Sequence, residues 1–281
     1  MLDQESQKAL VEKANEIRAL TLDAIGYLGV GHIGGSMSLV EVLTLLYYRH
    51  MKVDPKNPRM RDRDQLVLSK GHAGPTLYSI LADKGFFPKE WLHTLNKGGT
   101  RLPSHCDRNL TPGVDMTTGS LGQGLSAAIG IALGNRIDGI DREVYAIIGD
   151  GESNEGQVWE AAQAGSQFKL DHIIAFTDYN KLQLDGFMYE IMNIEDLTAK
   201  WESFGWFVQR VNGHDFAEMD LAVENAKAEK SRPSMIILDT IKGKGVPFAE
   251  NQVSNHNMKF DYGTALQVIA DLDAEKERKN E

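Results

Sequence analysis

The segment Val144-Tyr-Ala-Ile-Ile-Gly-Asp-Gly-Glu-Ser-Asn-Glu-Gly156 joins an apolar run to a glycine-rich acidic loop, and a helical pattern follows it. A short run that is apolar throughout is typical of a strand buried on both faces of a parallel sheet. In open α/β sheets, ligands bind in the loops that follow such strands. The loop is one residue short of a dinucleotide fingerprint, because Asn154 stands where the third glycine would be. The segment therefore predicts a strand–loop–helix unit of an α/β fold, with a candidate ligand site in its loop.

Four more β-rich runs alternate with helical patterns along the chain. Strands are predicted at 65–69, 144–148, 172–177, 206–211 and 235–239. Helices are predicted at 6–25, 36–51, 76–84, 122–137, 156–168, 194–204 and 217–230. This alternation favours an α/β fold with a doubly wound, mainly parallel sheet flanked by helices. We expect residues 1–281 to form a single domain with helical extensions at both ends.

Charge and composition exclude several classes of protein. The chain has 281 residues, with 30 Lys and Arg against 40 Asp and Glu, for a net charge of −10. Such an acidic chain is a poor nucleic-acid binder unless it has a basic patch. The best candidate patch holds Arg59, Arg61 and Arg63, but Asp62 and Asp64 interleave it, so we interpret it as a solvated loop. No nucleic-acid partner is expected.

The expected compartment is the cytoplasm. A single cysteine, Cys106, excludes internal disulfides and suits a reducing environment. The N-terminal residues are polar and acidic, unlike a targeting peptide. Residues 116–135 carry no charge, but five glycines and several polar residues make them too polar for lipid. They indicate a glycine-rich loop that opens a buried helix, and no membrane association is expected.

The acidic loop predicts a metal site. The Asp150 carboxylate lies between two glycines, where it would repel a diphosphate unless a divalent cation lies between them. Asn180 follows 30 residues later, after the next predicted strand. Carboxylate, amide and carbonyl oxygens are hard ligands of the kind that Mg²⁺ and Ca²⁺ prefer. We expect one of these cations on Asp150, Asn180 and the Leu182 carbonyl. The alternative is a plain acidic turn.

Seven segments, in order, resemble those of the transketolase family, whose thiamine diphosphate motif pairs Gly-Asp-Gly with a later Asn. They are Gly31-His-Ile-Gly-Gly35, Ser69-Lys-Gly-His-Ala73, Pro103-Ser-His105, Gly119-Ser-Leu-Gly-Gln-Gly124, Gly149-Asp-Gly151, Asp178-Tyr-Asn-Lys181, and Lys242-Gly-Lys-Gly245 with His256. The resemblance covers nearly the whole chain but only the first, diphosphate-binding part of the family. The chain is similar to the N-terminal subunit of a split transketolase, which implies the thiamine diphosphate-binding fold.

The resemblance also implies roles for individual residues around thiamine diphosphate. His32, His105 and His256 would be catalytic, acting at the reactive carbon and the sugar hydroxyls. The implied cofactor contacts are His72, Gly119, Ser120, Leu121, Gly149, Gly151, Glu152, Asn180 and His256. The sequence departs from the family at Ser120, often proline there, and at Asn257, usually glycine. The other four histidines, His50, His93, His172 and His214, are interpreted as structural.

A partner chain follows from the same resemblance. The family's pyrimidine-binding domain, which activates the cofactor, has no counterpart among the matched segments. The resemblance therefore implies a C-terminal partner subunit, sugar phosphate substrates of the pentose phosphate pathway, and inactivity of this chain alone. We expect a dimeric core of this chain with two partner copies, an α₂β₂ heterotetramer. Glu155 matches a family glutamate at the subunit contact, although a plain helix-start glutamate explains it equally well.

Three other functions stay open at this point. One is a split transketolase specialised for a branched or modified catabolic sugar. Another is the alpha subunit of a different thiamine enzyme, such as a 2-oxoacid dehydrogenase, which shares the Gly-Asp-Gly…Asn motif but is not expected to have the Ser-Lys-Gly-His-Ala segment. The third is a catalytically silent scaffold protein.

Overall fold

The structure is a computed structural model that describes residues 2–280, of which 275–280 are described by their backbone alone. The described residues form seven strands. They are β1 (Val30–Gly31), β2 (Gln65–Leu68), β3 (Val144–Gly149), β4 (Ile173–Tyr179), β5 (Phe207–Asn212), β6 (Ser234–Asp239) and β7 (Met258–Lys259). Five of them form a parallel sheet in the order β2-β3-β4-β6-β5. All five predicted strands are present, within two residues of their predicted bounds, and the parallel sheet is confirmed.

Helices cover both faces of this sheet. They are α1 (Gln4–Leu28), α2 (Ile33–Met37), α3 (Val40–Leu45), α4 (Gly74–Lys84), α5 (Gln123–Ile137), α6 (Gly156–Gln167), α7 (Met188–Ile191), α8 (Leu197–Ser203), α9 (Phe216–Ala228) and α10 (Tyr262–Asn280). In β3, Tyr145 and Ile147 pack into one apolar core with α1, α3, α4 and α9. Val144 and Ile148 pack into the other core, with α5, α6 and α8. Alternate side chains thus serve two layers, as a strand buried on both faces requires.

The predicted helix 36–51 is wrong as a single element. The structure divides this stretch into α2, α3 and a π-helical turn at Leu46–His50. The break falls at Ser38 and Leu39, where the Ser38 hydroxyl donates a hydrogen bond of 2.7 Å to the carboxylate of Asp178 near the end of β4. This tertiary contact turns the chain toward the sheet, and a helical pattern in the sequence gives no sign of it.

The predicted helix 194–204 begins three residues later than expected, at Leu197. Glu195 has a φ of 57°, which interrupts any helix there. Asp196 then caps α8, because its carboxylate accepts a 3.1 Å hydrogen bond from the Ala199 backbone N–H.

The carboxyl ends of the central strands lie side by side. Gly149 at the end of β3 pairs in register with Asp178, and Asp178 pairs with Leu238 of β6. The loops that follow these strands therefore meet at one edge of the sheet, as the sequence predicts. Within the described residues, no helix has both the length and the apolar character needed to cross a membrane.

Candidate active site

Four histidines from distant parts of the chain come together at this edge. His32 follows β1 and His256 precedes β7, and these two strands pair antiparallel. The His32 ring centre lies 5.4 Å from that of His256 and 5.5 Å from those of His72 and His105. The His72 and His256 ring centres are 5.1 Å apart. We call these four residues the histidine cluster, and they are the same four that the sequence singles out.

The histidine cluster is held in its neutral form. Burial, helped by neighbouring cationic groups, lowers the pKa of His32 and that of His256 to about 4. Burial and the Lys70 ammonium lower the pKa of His72 well below its usual value. Burial also lowers the pKa of His105. Near pH 7 each ring can therefore accept a proton from a bound molecule and return it.

These shifts predict a pH-dependent loss of stability. An unfolded histidine has a pKa near 6.5 and becomes charged as the pH falls below it. Folded His32 and His256 stay neutral down to about pH 4. Protons therefore favour the unfolded chain between these values, and the free energy of unfolding should fall as pH drops from about 6.5 to 4. Urea unfolding at stepped pH should show a flatter profile for a His32→Gln/His256→Gln variant. If wild type and variant gave the same dependence of the unfolding free energy on pH, the two histidines would not be the cause of the loss.

Asp150 links the two loops that follow β3 and β4. Its side chain is buried, and its two oxygens accept backbone hydrogen bonds of 2.7 Å from Gly151 and 2.6 Å from Lys181. Asn180 stands next to Lys181, and its amide oxygen accepts a 3.1 Å hydrogen bond from the Leu182 N–H. The structure therefore brings together the three residues predicted as metal ligands.

Two buried carboxyl groups, those of Asp150 and Asp178, lie close together at this point. Burial and the adjacent Asp178 carboxylate raise the pKa of Asp150 to about 7, because two buried acids repel each other. The Leu182 carbonyl already accepts a 3.2 Å hydrogen bond from the buried Lys242 ammonium. The carboxylate, amide and carbonyl oxygens of Asp150, Asn180 and Leu182 are of the types that a hard divalent cation prefers as ligands.

Two buried lysines flank these oxygens, and sequence reasoning gave neither of them a role. The Lys70 ammonium forms an ion pair with Asp178 and donates a 3.2 Å hydrogen bond to the Gly35 carbonyl. Burial and nearby Lys70 lower the pKa of Lys242 to about 8. Two buried ammonium groups beside His72 form a basic cradle of the kind that binds a diphosphate. The signal was available, since both lysines lie in the motif segments quoted above.

A family model described as transketolase, thiamine diphosphate binding domain, matches residues 9–268 of this chain. The chain belongs to the transketolase family. The match confirms the family predicted from the motifs, and it separates the chain from the alpha subunits of 2-oxoacid dehydrogenases.

Two curated transketolase subunits align with almost the whole chain. The 6-deoxy-6-sulfo-D-fructose transketolase subunit SqwG of Clostridium sp. (strain MSTE9) is 56% identical over 271 residues, 96% of this chain and 98% of that one. One subunit of the apulose-4-phosphate transketolase of Phocaeicola vulgatus is 37% identical over 253 residues, 89% of this chain and 90% of that one.

Full-length transketolases match over about half of their own length. Human transketolase is 35% identical over 271 residues, which are 96% of this chain and 43% of that one. The crystal structure of the Campylobacter jejuni transketolase superposes with a TM-score of 0.85 at 30% identity, covering 97% of this chain and 48% of that chain. These matches confirm the predicted α/β fold.

In this transketolase chain Glu152 connects two glycine loops. Its carboxylate accepts hydrogen bonds from the Ser69 hydroxyl and from the backbone N–H groups of Gly122, at 2.9 Å, and Gly149, at 3.0 Å. The side chain is buried, and burial raises its pKa. Glu152 therefore fixes the glycine loops relative to each other. Its direct contact with the cofactor stays a prediction.

The loop before α5 holds Gly119, Ser120 and Leu121, which are predicted from the resemblance to contact the cofactor. Gly119 has a φ of 143°, and a Cβ there would lie 3.0 Å from the His105 ring. Ser120 and Leu121 are exposed beside it. Only glycine satisfies both the backbone conformation and the close approach of His105, so the loop stays against the histidine cluster.

Gly124 gives a test of this packing with a control on the same helix. A Cβ at Gly124 would lie 2.3 Å from the Ser69 Oγ and 2.7 Å from its Cα, whereas a Cβ at Gly130 would meet nothing within 4 Å. We expect Gly124→Ala to lower the free energy of unfolding by about 1–3 kcal/mol through overpacking. Gly130→Ala should raise it by about 0.5–1 kcal/mol. Thermal unfolding measures both, and equal effects would contradict the packing.

His214, interpreted as structural from the sequence, supports the loop that carries Lys242. Its Nε2 accepts a 2.9 Å hydrogen bond from the Ile241 N–H, and its Nδ1 lies 3.1 Å from the Glu41 carboxylate. Glu41 in turn pairs with buried Arg18, which donates a 2.6 Å hydrogen bond to the Lys244 carbonyl. This buried network fixes both ends of the segment around Lys242.

Proposed function

We propose that this chain is the N-terminal subunit of a two-chain transketolase, which moves a two-carbon ketol unit from a ketose to an aldose acceptor. The observation that carries the proposal is the meeting of the histidine cluster, the buried lysines and the Asp150 loop at one sheet edge. When bound, the thiazolium ring of thiamine diphosphate accepts the electron pair released as the bond beside a sugar carbonyl is cut.

The cofactor's diphosphate would lie against Lys70, Lys242 and His72. Gly35 supports this position, because a Cβ there would lie 3.1 Å from the His72 Nε2 and 3.3 Å from the Lys70 ammonium. The absence of a side chain at Gly35 thus leaves room for His72 and Lys70 in the basic cradle. Mg²⁺ or Ca²⁺ would be held by Asp150, Asn180 and the Leu182 carbonyl, and it would offset the repulsion between Asp150 and the diphosphate. Gly149 and Gly151 let the backbone approach closely.

The sugar would meet the outer part of the histidine cluster. His32, His105 and His256 are partly exposed, whereas His72 lies deeper. Neutral imidazoles at this position can take a proton from a sugar hydroxyl and return it as the carbon–carbon bond breaks or forms. His72 would then hold the cofactor, and the other three would act on the sugar.

A partner subunit would cover an exposed apolar patch beside the metal loop. Leu184, Tyr189, Ile191 and Met192 are 58%, 67%, 46% and 59% exposed. These four side chains lie within nine residues of one another in the chain, and exposed apolar side chains gathered next to a site favour association with another protein surface. We propose that a C-terminal subunit docks here, bringing the second wall of the cofactor site, in an α₂β₂ assembly with a dimeric core of this chain in the cytoplasm.

The proposed donor is 6-deoxy-6-sulfo-D-fructose. The support is identity of 56% with the subunit named for this sugar, against 37% with the subunit named for apulose 4-phosphate and 35% with human transketolase. Ketoses of the pentose phosphate pathway are the second candidate. A sulfonated sugar as donor would match the first alternative left open by the sequence, a split transketolase specialised for a branched or modified sugar.

A donor panel tests the substrate. The chain is co-expressed with its presumed C-terminal partner, and the pair is assayed with thiamine diphosphate, Mg²⁺ and an aldose phosphate acceptor. The donors are 6-deoxy-6-sulfo-D-fructose, fructose 6-phosphate and xylulose 5-phosphate. We expect the highest kcat/KM with the sulfonated sugar. A higher kcat/KM for either phosphorylated ketose would overturn this assignment and leave the ketol transfer itself intact.

A further inference from the structure

A second candidate site lies at the opposite end of the sheet from the histidine cluster. A cavity of about 920 Å³ is bordered by Gln65 at the start of β2, by Arg142 just before β3 and by the loop that runs from 108 to 115. The transketolase site uses the carboxyl ends of these strands, so the two sites are separate. We call this the arginine cavity.

Six arginines line the arginine cavity, against two acids. The arginines are Arg59, Arg61, Arg63, Arg101, Arg108 and Arg142, and the acids are Asp115 and Asp138. The whole chain has a net charge of −10, so a cavity with more arginines than acids is locally positive on a protein that is acidic as a whole. Like charges gathered around one cavity repel one another, and an anion between them relieves the repulsion.

Most of this positive charge has no carboxylate partner. Among the residues that the structure describes, Arg63 is the one arginine of the cavity that forms an ion pair, with buried Asp115. Arg142 donates hydrogen bonds to neutral oxygens, the Arg61 carbonyl at 2.6 Å and the Asn135 amide at 2.9 Å. Burial and the Arg63 charge lower the pKa of Arg142, which is the expected effect of crowding guanidinium groups.

The outer arginines are free to bind a ligand. Among the described residues, the side chains of Arg59, Arg61 and Arg108 have no hydrogen-bond or ion-pair partner, and all three are exposed. From the sequence, Arg59, Arg61 and Arg63 are interpreted as part of a solvated loop. The structure confirms that Arg59 and Arg61 are exposed in a loop, whereas Arg63 is buried. All three border a cavity that Arg101, Arg108 and Arg142 also line.

The size and chemistry of the cavity fit a small polyanion. Guanidinium groups present paired N–H donors that match phosphate oxygens, and each charge-assisted pair is strong. The volume lies in the range of small-molecule sites, about 300–1,000 Å³. We propose that the arginine cavity binds a small molecule carrying a diphosphate group or two phosphate groups, at a site distinct from that of the cofactor.

Binding of inorganic pyrophosphate to the purified chain tests the proposal. Calorimetry is run in EDTA on the wild type, on an Arg61→Gln/Arg108→Gln variant and on Lys242→Met, which removes an ammonium of the cofactor cradle. An Arg232→Gln variant is the matched control, because Arg232 is an exposed arginine outside the cavity. The two replaced side chains have no partner in the part of the chain that the structure describes, so the double variant should keep the wild-type melting temperature.

The expected result is tight pyrophosphate binding that persists in Lys242→Met and in Arg232→Gln. In the double arginine variant we expect the affinity of that site to fall by about tenfold or more for each arginine replaced. Loss of all binding in Lys242→Met would show that only the cofactor cradle binds pyrophosphate, and it would overturn the proposal. Wild-type affinity in the double variant, or an equal loss in Arg232→Gln, would also overturn it.

Discussion

Asp150→Asn is expected to lower the metal-dependent affinity for thiamine diphosphate by about 100-fold or more, since it replaces the only proposed ligand that carries a charge. Asparagine keeps the shape of the side chain, but its single amide oxygen can accept a hydrogen bond from Gly151 or from Lys181 and not from both, so thermal unfolding of the variant is measured alongside to check that the loop keeps its form. Calorimetric titration of the cofactor with and without Mg²⁺ measures the effect.

The matched control is Asp185→Asn in the same loop region. Asp185 is exposed, and among the described residues its side chain accepts no hydrogen bond. This variant should bind the cofactor as the wild type does. Tight binding of the cofactor by Asp150→Asn, with the same dependence on Mg²⁺ as the wild type, would contradict the proposed metal ligands.

His32→Gln and His105→Gln should each lower the turnover of the assembled enzyme by about 10²–10⁴-fold, the usual contribution of a general acid or base. Cofactor affinity should stay near the wild-type value, because the diphosphate is assigned to Lys70, Lys242 and His72. A fall in turnover with unchanged cofactor affinity indicates proton transfer, whereas a structural role would lower both.

His172→Gln is the control for this pair. His172 lies just before β4, at the end of the sheet opposite the histidine cluster, beside Asp141 and Glu143. Its replacement should leave turnover unchanged. Wild-type turnover in both His32→Gln and His105→Gln would show that these histidines do not act on the sugar.

The strands and the metal loop could be predicted from sequence because their signals are local. Val144 to Ile148 is apolar throughout, and Asp150 follows directly, so one short segment contains both the strand and the chemistry. The register of parallel neighbours then places Asn180 near Asp150 without further information. Helix 36–51 failed for the opposite reason, since its break depends on the hydrogen bond from Ser38 to Asp178.

The lysines show why the rest of the site needed the structure. Lys70 and Lys242 are far apart in the chain, and each looks like an ordinary cation beside glycines. Their role follows from their burial and from their contacts with Asp178 and the Leu182 carbonyl, which only the tertiary structure shows. Glu152 is a related case, because its three hydrogen bonds to glycine loops and Ser69 cannot be read from the motif.

The central claim is that this chain supplies half of a transketolase site and depends on a second subunit for the other half. The most direct measurement is ketol transfer by the purified chain on its own, by the presumed C-terminal partner on its own and by the two mixed, with thiamine diphosphate and Mg²⁺ present throughout. We predict no turnover by either chain alone and turnover that saturates when the two are mixed at equal molar amounts. Ketol transfer by this chain alone would contradict the claim.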